Sequence, residues 1–487
     1  MKSKRRQVFL GILAVAVTSV LFLGVLTIRW YPLYSEANNF LALSSQQDSQ
    51  EELQISAERV SDRFELISSD LQKPILKQIS SAFGLDFSAI TPEISAAISA
   101  APQLFGYLYP QQYLVVTQNS AEARGTGGIL GALAIVEFDK GDFKVLQAAS
   151  NIIFPSERRT PIAMPEEFVA LYGYDPGIFQ NSNLSPHFPY GAEIWMALWE
   201  RKYGGNLDGV IAVDPTALSY ILESTGPIQL DDGEVINSSN VVYKTLSEAY
   251  KRFEDDNFAR KEYLVRMMRA VFEKLSARSF EPLDFAHQVK RAILDNRVLI
   301  YSRDVATQEK LSTTRLAGHM ELDPNNEFRA VIKNTDASKL DYYLQKDIKI
   351  ESVDCLNPEQ ILQKITVTVT NTLKNGSNLP AYVLTRADRG KPKDYVKGQH
   401  RFELFLYGPT FSRFSGANRE GEGKLGGVGE ERNRPLLVTD IDLAPGESET
   451  VSAEFLGGVG PITFVDQPLV RESKIEILDL CRVREAR

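Results

Sequence analysis

The feature that most constrains this chain is an uncharged run from Val8 to Ile28, directly behind the basic cluster Lys2-Ser3-Lys4-Arg5-Arg6. A helix of that run, at about 1.5 Å per residue, is roughly 31 Å long, which matches the hydrocarbon thickness of a bilayer. Arg29, Trp30, Tyr31 and Tyr34 follow in the manner of an interfacial belt. A cleaved signal peptide would have a shorter apolar region, about 7–15 residues, and a small-x-small site after it. Neither fits, so residues 1–34 read as an uncleaved signal-anchor. The basic cluster stays on the cytoplasmic side, which puts the bulk of the chain outside a single-pass membrane anchor.

That bulk is acidic. Five of the 54 basic residues precede the first acid, Glu36, leaving 49 basic against 63 acidic residues, a net of −14. Such a body gains no counterion-release energy on DNA or RNA, so nucleic acid is excluded as a partner. Two cysteines rule out a disulfide-dense mini-protein and a Cys-rich metal centre.

Three regions follow the anchor. In residues 35–109, Leu53, Ala57, Val60, Phe64, Ile67 and Leu71 recur at 4-3-4-3-4 spacing and form one seam of a helical stalk. The seam packs on its own domain or against a second copy, and Pro74 ends or kinks it. In residues 110–345 the apolar runs Tyr113–Thr117, Ile129–Phe138 and Gly209–Val213 suit buried strands of a largely parallel sheet. Between them lie amphipathic helices marked by Ile194, Trp195, Leu198 and Trp199, by Val242, Leu246, Ala249 and Phe253 behind a Ser238 or Ser239 cap, and by Leu264, Met267, Val271 and Leu275. This is an α/β/α layered domain. In residues 346–487 the alternating runs Ile365-Val367-Val369, Phe402-Leu404-Leu406 and Val451-Ala453-Phe455 indicate a β-sandwich, with a turn at Pro445-Gly446-Glu447 and a loop from Gly416 to Gly429. The fold class is thus α/β, with a transmembrane helix and stalk at one end and strands at the other.

Cys355 and Cys481 bracket the strand-rich region, and in an oxidising compartment they form a candidate disulfide; the bland alternative is two buried thiols. The stretch Gln118–Gly128 reads as a loop between two strands, carrying Asn119, Glu122, Arg124 and Thr126 with several glycines. A guanidinium, an amide and free backbone N–H groups at the end of a buried strand make a candidate anion pocket. The alternative is a structural loop in which Glu122 holds Arg124; then Glu122→Gln should offset the damage of Arg124→Ala. Asn183, ahead of Ser185-Pro186-His187-Phe188-Pro189, faces the same crevice or caps the following helix. Arg158, beside Arg159, contacts an anion or water. Asp208 and Asp214 flank one short strand as a cation-holding pair or as caps. No G-x-S-x-G, H-E-x-x-H or Walker pattern is present, and the four histidines show no ligand spacing.

Gln118–Gly128, Asn183–Pro189, the stretch 208–227, and later Ile300–Asp304 and Ala337–Tyr343 resemble the bacterial family catalogued as domain of unknown function 4012. His187 departs from that family, which tends to have an acid there. The family is in turn distantly similar to the LytR-CpsA-Psr enzymes, extracytoplasmic phosphotransferases that move glycopolymers from polyprenyl-pyrophosphate carriers. The resemblance implies a cell-envelope protein of the bacterial cytoplasmic membrane. It also implies a polyprenyl-phosphate or cell-wall glycan ligand and a divalent cation such as Mg²⁺. The enzymes' first motif has an aspartate two residues after its arginine; here Arg124 is followed by Gly125 and Thr126. Their Pro-Arg-Asp motif has Pro155-Ser156-Glu157-Arg158 as its nearest match. No catalytic residue is assigned. Binding with possible transfer of a glycan phosphate is weighed against a non-catalytic glycan- or protein-binding envelope protein.

Overall fold

The computed structural model describes residues 32–40, 42–43, 50–71, 92–254, 256–320, 326–355, 361–374, 379–388, 395–420, 425–479 and 481. The apolar run Val8–Ile28 of the expected signal-anchor lies outside these residues, as does Pro74. Among the described residues, no helix is long and apolar enough to cross a membrane. The fold is mixed α/β with several sheets and a strand-rich C-terminal region. It divides into two compact units, one of residues 1–111, 137–144 and 302–314, the other of the remainder.

In the first unit the seam is buried within its own unit. Leu53, Ala57, Val60 and Ile67 of the helix Gln50–Leu71 face inward, and Val60 and Ile67 share a cluster with Leu33. The side chains of Phe64 and Leu71 lie outside the described set. Helices Pro92–Leu104 and Val305–Ser312 complete the packing.

The first sheet, most of whose residues belong to the second unit, begins with long strands, β1 (Gln111–Arg124) and β2 (Gly127–Asp139), then β3 (Asp142–Ser150) and β4 (Gly209–Val213). A small hairpin, β5 (Ile228–Gln229) and β6 (Val235–Ile236), precedes β7 (Val298–Ser302). The first sheet runs β3-β2-β1-β4-β7, with β1 parallel to β4 from Tyr113 beside Gly209 to Thr117 beside Val213. Helix Phe188–Tyr203 is buried almost all round, as expected for a helix with Ile194, Trp195, Leu198 and Trp199 together with Phe188 and Met196. Leu114, Val116, Leu130 and Val210 of the sheet join its cluster. The expected cap at Ser238 or Ser239 does not form: the helix begins after Asn240, and in the turn ahead of it Asn237 Oδ1 accepts from the backbone of both Ser239 and Asn240.

Two further five-stranded sheets follow. The strands are β8 (Glu327–Asn334), β9 (Leu344–Cys355), β10 (Ile361–Asn371), β11 (His400–Tyr407), β12 (Arg413–Glu420), β13 (Val428–Glu431), β14 (Arg434–Leu443), β15 (Ser448–Leu456), β16 (Thr463–Asp466) and β17 (Lys474–Leu478). One sheet is β13-β14-β11-β8-β16 and the other is β12-β15-β10-β9-β17. Ile365, Val367 and Val369 meet Phe402, Leu404, Leu406, Val451, Ala453 and Phe455 in one core, as the alternation requires. The opposite face of the β11 sheet is buried too, since Val331, Phe405, Tyr407 and Leu436 enter the cluster of helix Phe188–Tyr203. β8 thus starts the strand-rich region ahead of residue 346. The Gly416–Gly429 stretch is not a plain loop, because β12 and β13 occupy its two ends.

Charges are buried in this region. His400 is fully enclosed between Asp336 and Asp341, with Nδ1 and Nε2 each 3.0 Å from a carboxylate oxygen. Burial alone would lower the imidazole, but the two acids raise it to about 10, and Asp336 falls to about 2 despite burial because His400 faces it. Among the described residues Lys333 Nζ has no hydrogen-bond partner; it lies 3.1 Å from the Phe405 ring centre and 4.1 Å from that of Tyr172. Burial lowers it to about 7, with Glu431 and Glu403 pulling the other way.

Two outcomes follow. The raised His400 stabilises the fold fully below about pH 6.5, and that gain is lost as pH climbs through about 10. The lowered Lys333 has the opposite sign: its penalty is complete below about pH 7 and fades toward about 10.5. The slopes oppose each other between pH 7 and 10. Thermal unfolding across that window should therefore show stability falling with pH in Lys333→Met and rising in His400→Gln. The latter should cost about 3–5 kcal/mol at pH 6, since it strands two buried acids. Parallel slopes in both variants would refute the assignment.

The second concerns the cysteines. Cys481 is disulfide-bonded, and no described cysteine is free. Cys355 ends β9, and its pairing with Cys481 is the sequence expectation that thiol labelling tests. Thiol labelling of denatured, non-reduced protein should find none reactive. Reduction should cost up to roughly 4–5 kcal/mol, as loop entropy allows for so long a loop.

Candidate functional site

The stretch read as an anion loop is a strand hairpin. β1 continues through Arg124 and β2 resumes at Gly127, so only Gly125 and Thr126 form the turn. Gly125 is required because a Cβ there would sit 2.3 Å from the Ser185 carbonyl carbon. The turn is locked by side chains. Asn183 Nδ2 donates to Thr126 Oγ1 at 2.8 Å and to the Gly128 carbonyl at 2.9 Å, and Thr126 Oγ1 is 2.7 Å from the Gln118 amide. Thr126 and Asn183 are buried and serve this lock.

Arg124 is committed in the same way. Its Nε donates to the Gln180 carbonyl at 2.8 Å, Nη1 to the carbonyls of Ala123 at 2.9 Å and Asn334 at 3.3 Å, and Nη2 to Glu122 at 2.9 Å. The other Glu122 oxygen accepts from Lys339. Burial would lower the Lys339 ammonium, but Glu122 beside it holds it above the usual lysine range. Ala123 N donates to Asp341, and through Asp341 this triad adjoins the His400 pair. Arg124 does not line the cleft; it holds the Gln180 carbonyl and Glu122, residues that do. Arg158 is exposed and also outside the cleft.

The cleft has a volume of about 680 Å³. Asn119 and Glu122 line it, joined by Arg260, Lys261, Lys339 and Arg386, which sequence reasoning missed. Asn119 Nδ2 donates to Tyr250 Oη at 2.7 Å. Arg260 lies 4.3 Å from the Tyr250 ring centre and 4.6 Å from that of Tyr382, a doubly stacked cation. Arg386 is neutralised by Asp388 at 2.8 Å and Asp442 at 2.7 Å. Glu122 is shared by Arg124 and Lys339, two cations on one carboxylate. Arg260 and Lys261 add two more, and neither pairs with an acid among the described residues. Burial lowers the Lys261 ammonium, and the like charges of Arg260 and Lys339 push the same way against Tyr382. Tyr382 resists burial, which would raise its phenol, and is lowered by Lys339 and Arg260.

Asp214 and Asp208 are structural. Asp214 caps helix Pro215–Thr225 through Ala217 N at 2.7 Å and pairs with buried Arg297 at 2.5 Å, while Asp208 accepts from Gln112 N at 2.7 Å. Among the described residues, no group of three or more His, Cys, Asp or Glu is placed to hold a metal ion. The missed residues did leave signals. Lys339 falls in Ala337–Tyr343, and Arg260 and Lys261 sit on helix Asn257–Ser276, which was read only for its apolar stripe.

Residues 109–250 match the family described as Protein of unknown function (DUF4012), a stretch that holds Gln118–Gly128, Asn183–Pro189 and 208–227 but not the two later segments. No curated protein matches the chain. Among solved structures, the chain is similar to TagV of B. subtilis at 16% identity and a TM-score of 0.25, over 42% of this chain and 81% of that one. It is also similar to the transcriptional regulator yvhJ from Bacillus subtilis, at 15% identity and a TM-score of 0.24 over 42% and 76%. Protein gbs0355 from Streptococcus agalactiae stands at 12% and 0.24 over 43% and 75%. The cleft, and not these likenesses, carries the functional reading.

Arg124→Ala should lower stability by roughly 2–4 kcal/mol through stranded carbonyls. Adding Glu122→Gln should lower it further, because Lys339 then loses the one acid that pairs with it among the described residues. Thermal unfolding of the two variants decides; recovery in the double variant would return the pair to an isolated Glu122–Arg124 turn.

Proposed function

We propose that this protein is an extracytoplasmic envelope protein held at the membrane by its N-terminal apolar run. Its α/β/α-layered part and β-sandwich together build a cleft for a phosphorylated cell-wall glycan or its polyprenyl-linked form. The observation that carries the reading is the convergence of Arg260, Lys261 and Lys339 on one cleft of an otherwise acidic chain, with Glu122 the one acid lining it among the described residues. A phosphate offers the oxygens these donors need, and bound there it relieves the repulsion among Arg260, Lys261 and Lys339. The apolar wall of Ile129, Leu130 and Leu264 suits a carrier tail. The disulfide at Cys481 accords with an oxidising compartment.

Binding is favoured over transfer. Glu122 is the only acid lining the cleft among the described residues, and both its oxygens are already engaged. An enzyme moving a phosphoryl group would need carboxylates converging on the ligand.

Calorimetric titration of a short polyprenyl phosphate into the full chain tests this. Arg260→Ala and Lys261→Ala should each weaken binding by roughly 10–100-fold, the worth of one charge-assisted contact. Arg158→Ala should change nothing. Equal affinity in all three would sink the reading.

A further inference from the structure

We propose that Asn151 and Gln180 read hydroxyl or amide donors on the bound ligand, so that the cleft takes a sugar phosphate in preference to phosphate or a lipid phosphate alone. The inference rests on the anion-binding reading above and concerns the ligand's other half. Both residues line the cleft. Asn151 Nδ2 donates to the Leu130 carbonyl at 2.7 Å, which fixes the amide's orientation and leaves Oδ1 shielded from solvent with no partner among the described residues. Gln180 Oε1 is likewise shielded and unpartnered.

Buried acceptors without donors are uncommon in folded proteins, and two on one cleft wall mark a demand for donors. A phosphate group presents acceptors to them, and a polyprenyl chain presents nothing. A sugar ring presents several O–H groups, and an acetamido sugar adds an N–H. Phe179, next to Gln180, gives an apolar face for the ring's C–H side.

The two halves are mechanically joined. The Gln180 carbonyl is held by Arg124, Arg124 by Glu122, and Glu122 by Lys339, so one chain of contacts sets the acceptor wall against the cations. This gives the buried Arg124 its purpose: it is a positioning residue for both halves. A site built to pair with hydroxyls discriminates strongly against analogues that lack them, because its own polar groups are then left bare.

The test titrates the full chain with three probes: inorganic phosphate, a short polyprenyl monophosphate and N-acetylglucosamine 1-phosphate. The sugar phosphate should bind roughly 10–100-fold tighter than inorganic phosphate. Gln180→Met and Asn151→Leu should each remove about 5–30-fold of that advantage and leave inorganic phosphate binding unchanged. Gln180→Met, which breaks no observed side-chain bond, keeps the test decisive if Asn151→Leu does not fold. A sugar phosphate that binds no tighter than inorganic phosphate, or variants that weaken both alike, would overturn the assignment and leave water as the partner of these acceptors. Binding of no probe at all would overturn the anion-binding reading and this inference with it.

Discussion

Much of this structure depends on one buried carboxylate shared by two cations. Glu122 accepts from Arg124 on one oxygen and from Lys339 on the other, all three nearly shielded from water. Charges at that depth are tolerated only when paired and fully hydrogen-bonded. Arg124 meets that condition by capping three backbone carbonyls, and those carbonyls belong to Gln180, Ala123 and Asn334. The demand for satisfaction thus draws three distant stretches of chain to one point. Of the two cations that share the acid, Lys339 is the one that lines the cleft.

The strand that carries this carboxylate has a double membership. Leu114 and Val116 of β1 belong to the core around helix Phe188–Tyr203, while Ala123, near its far end, belongs to the core between the two later sheets. A strand of 14 residues is needed to reach both. The β11 sheet is buried on both faces for the same reason: its even and odd positions enter different cores. That geometry explains the aromatic enclosure of Lys333 and the hydroxyl cage of Tyr172, Tyr407 and Ser185 around Glu431.

The elements were legible where their signal is local. Alternation gave β10, β11 and β15, and helical spacing gave the seam at Leu53, Ala57, Val60 and Ile67, because those patterns express burial of one face. Gln118–Arg124 was misread because its polar residues resemble loop composition. They are strand residues whose polar side chains are answered from far along the chain, as Lys339 answers Glu122 and Asp341 answers Ala123 N. Of the candidate site residues, Asn119 and Glu122 line the cleft, Arg124 stands behind it, Thr126 and Asn183 lock the turn, and Arg158 is exposed. His400 escaped notice because its partners, Asp336 and Asp341, lie some sixty positions away in sequence. Cation clusters assembled from a strand, a helix and a short turn carry no spacing that one sequence can reveal.

An acidic chain with a cationic cleft must also solve a problem of reach. The body's net negative charge would repel the proposed phosphorylated ligand at long range, so electrostatic steering would not be the source of its affinity. At physiological ionic strength charges are screened beyond about 8 Å, and the body's repulsion fades over just the distance at which Arg260 and Lys261 begin to act. Inside the cleft the dielectric falls, and the Tyr250 and Tyr382 faces hold Arg260 without consuming its charge as an acid would. Stacking rather than ion pairing is therefore what keeps the cleft both ordered and cationic. Arg386, fully answered by Asp388 and Asp442, shows the alternative: a rigid wall with no charge left for a ligand.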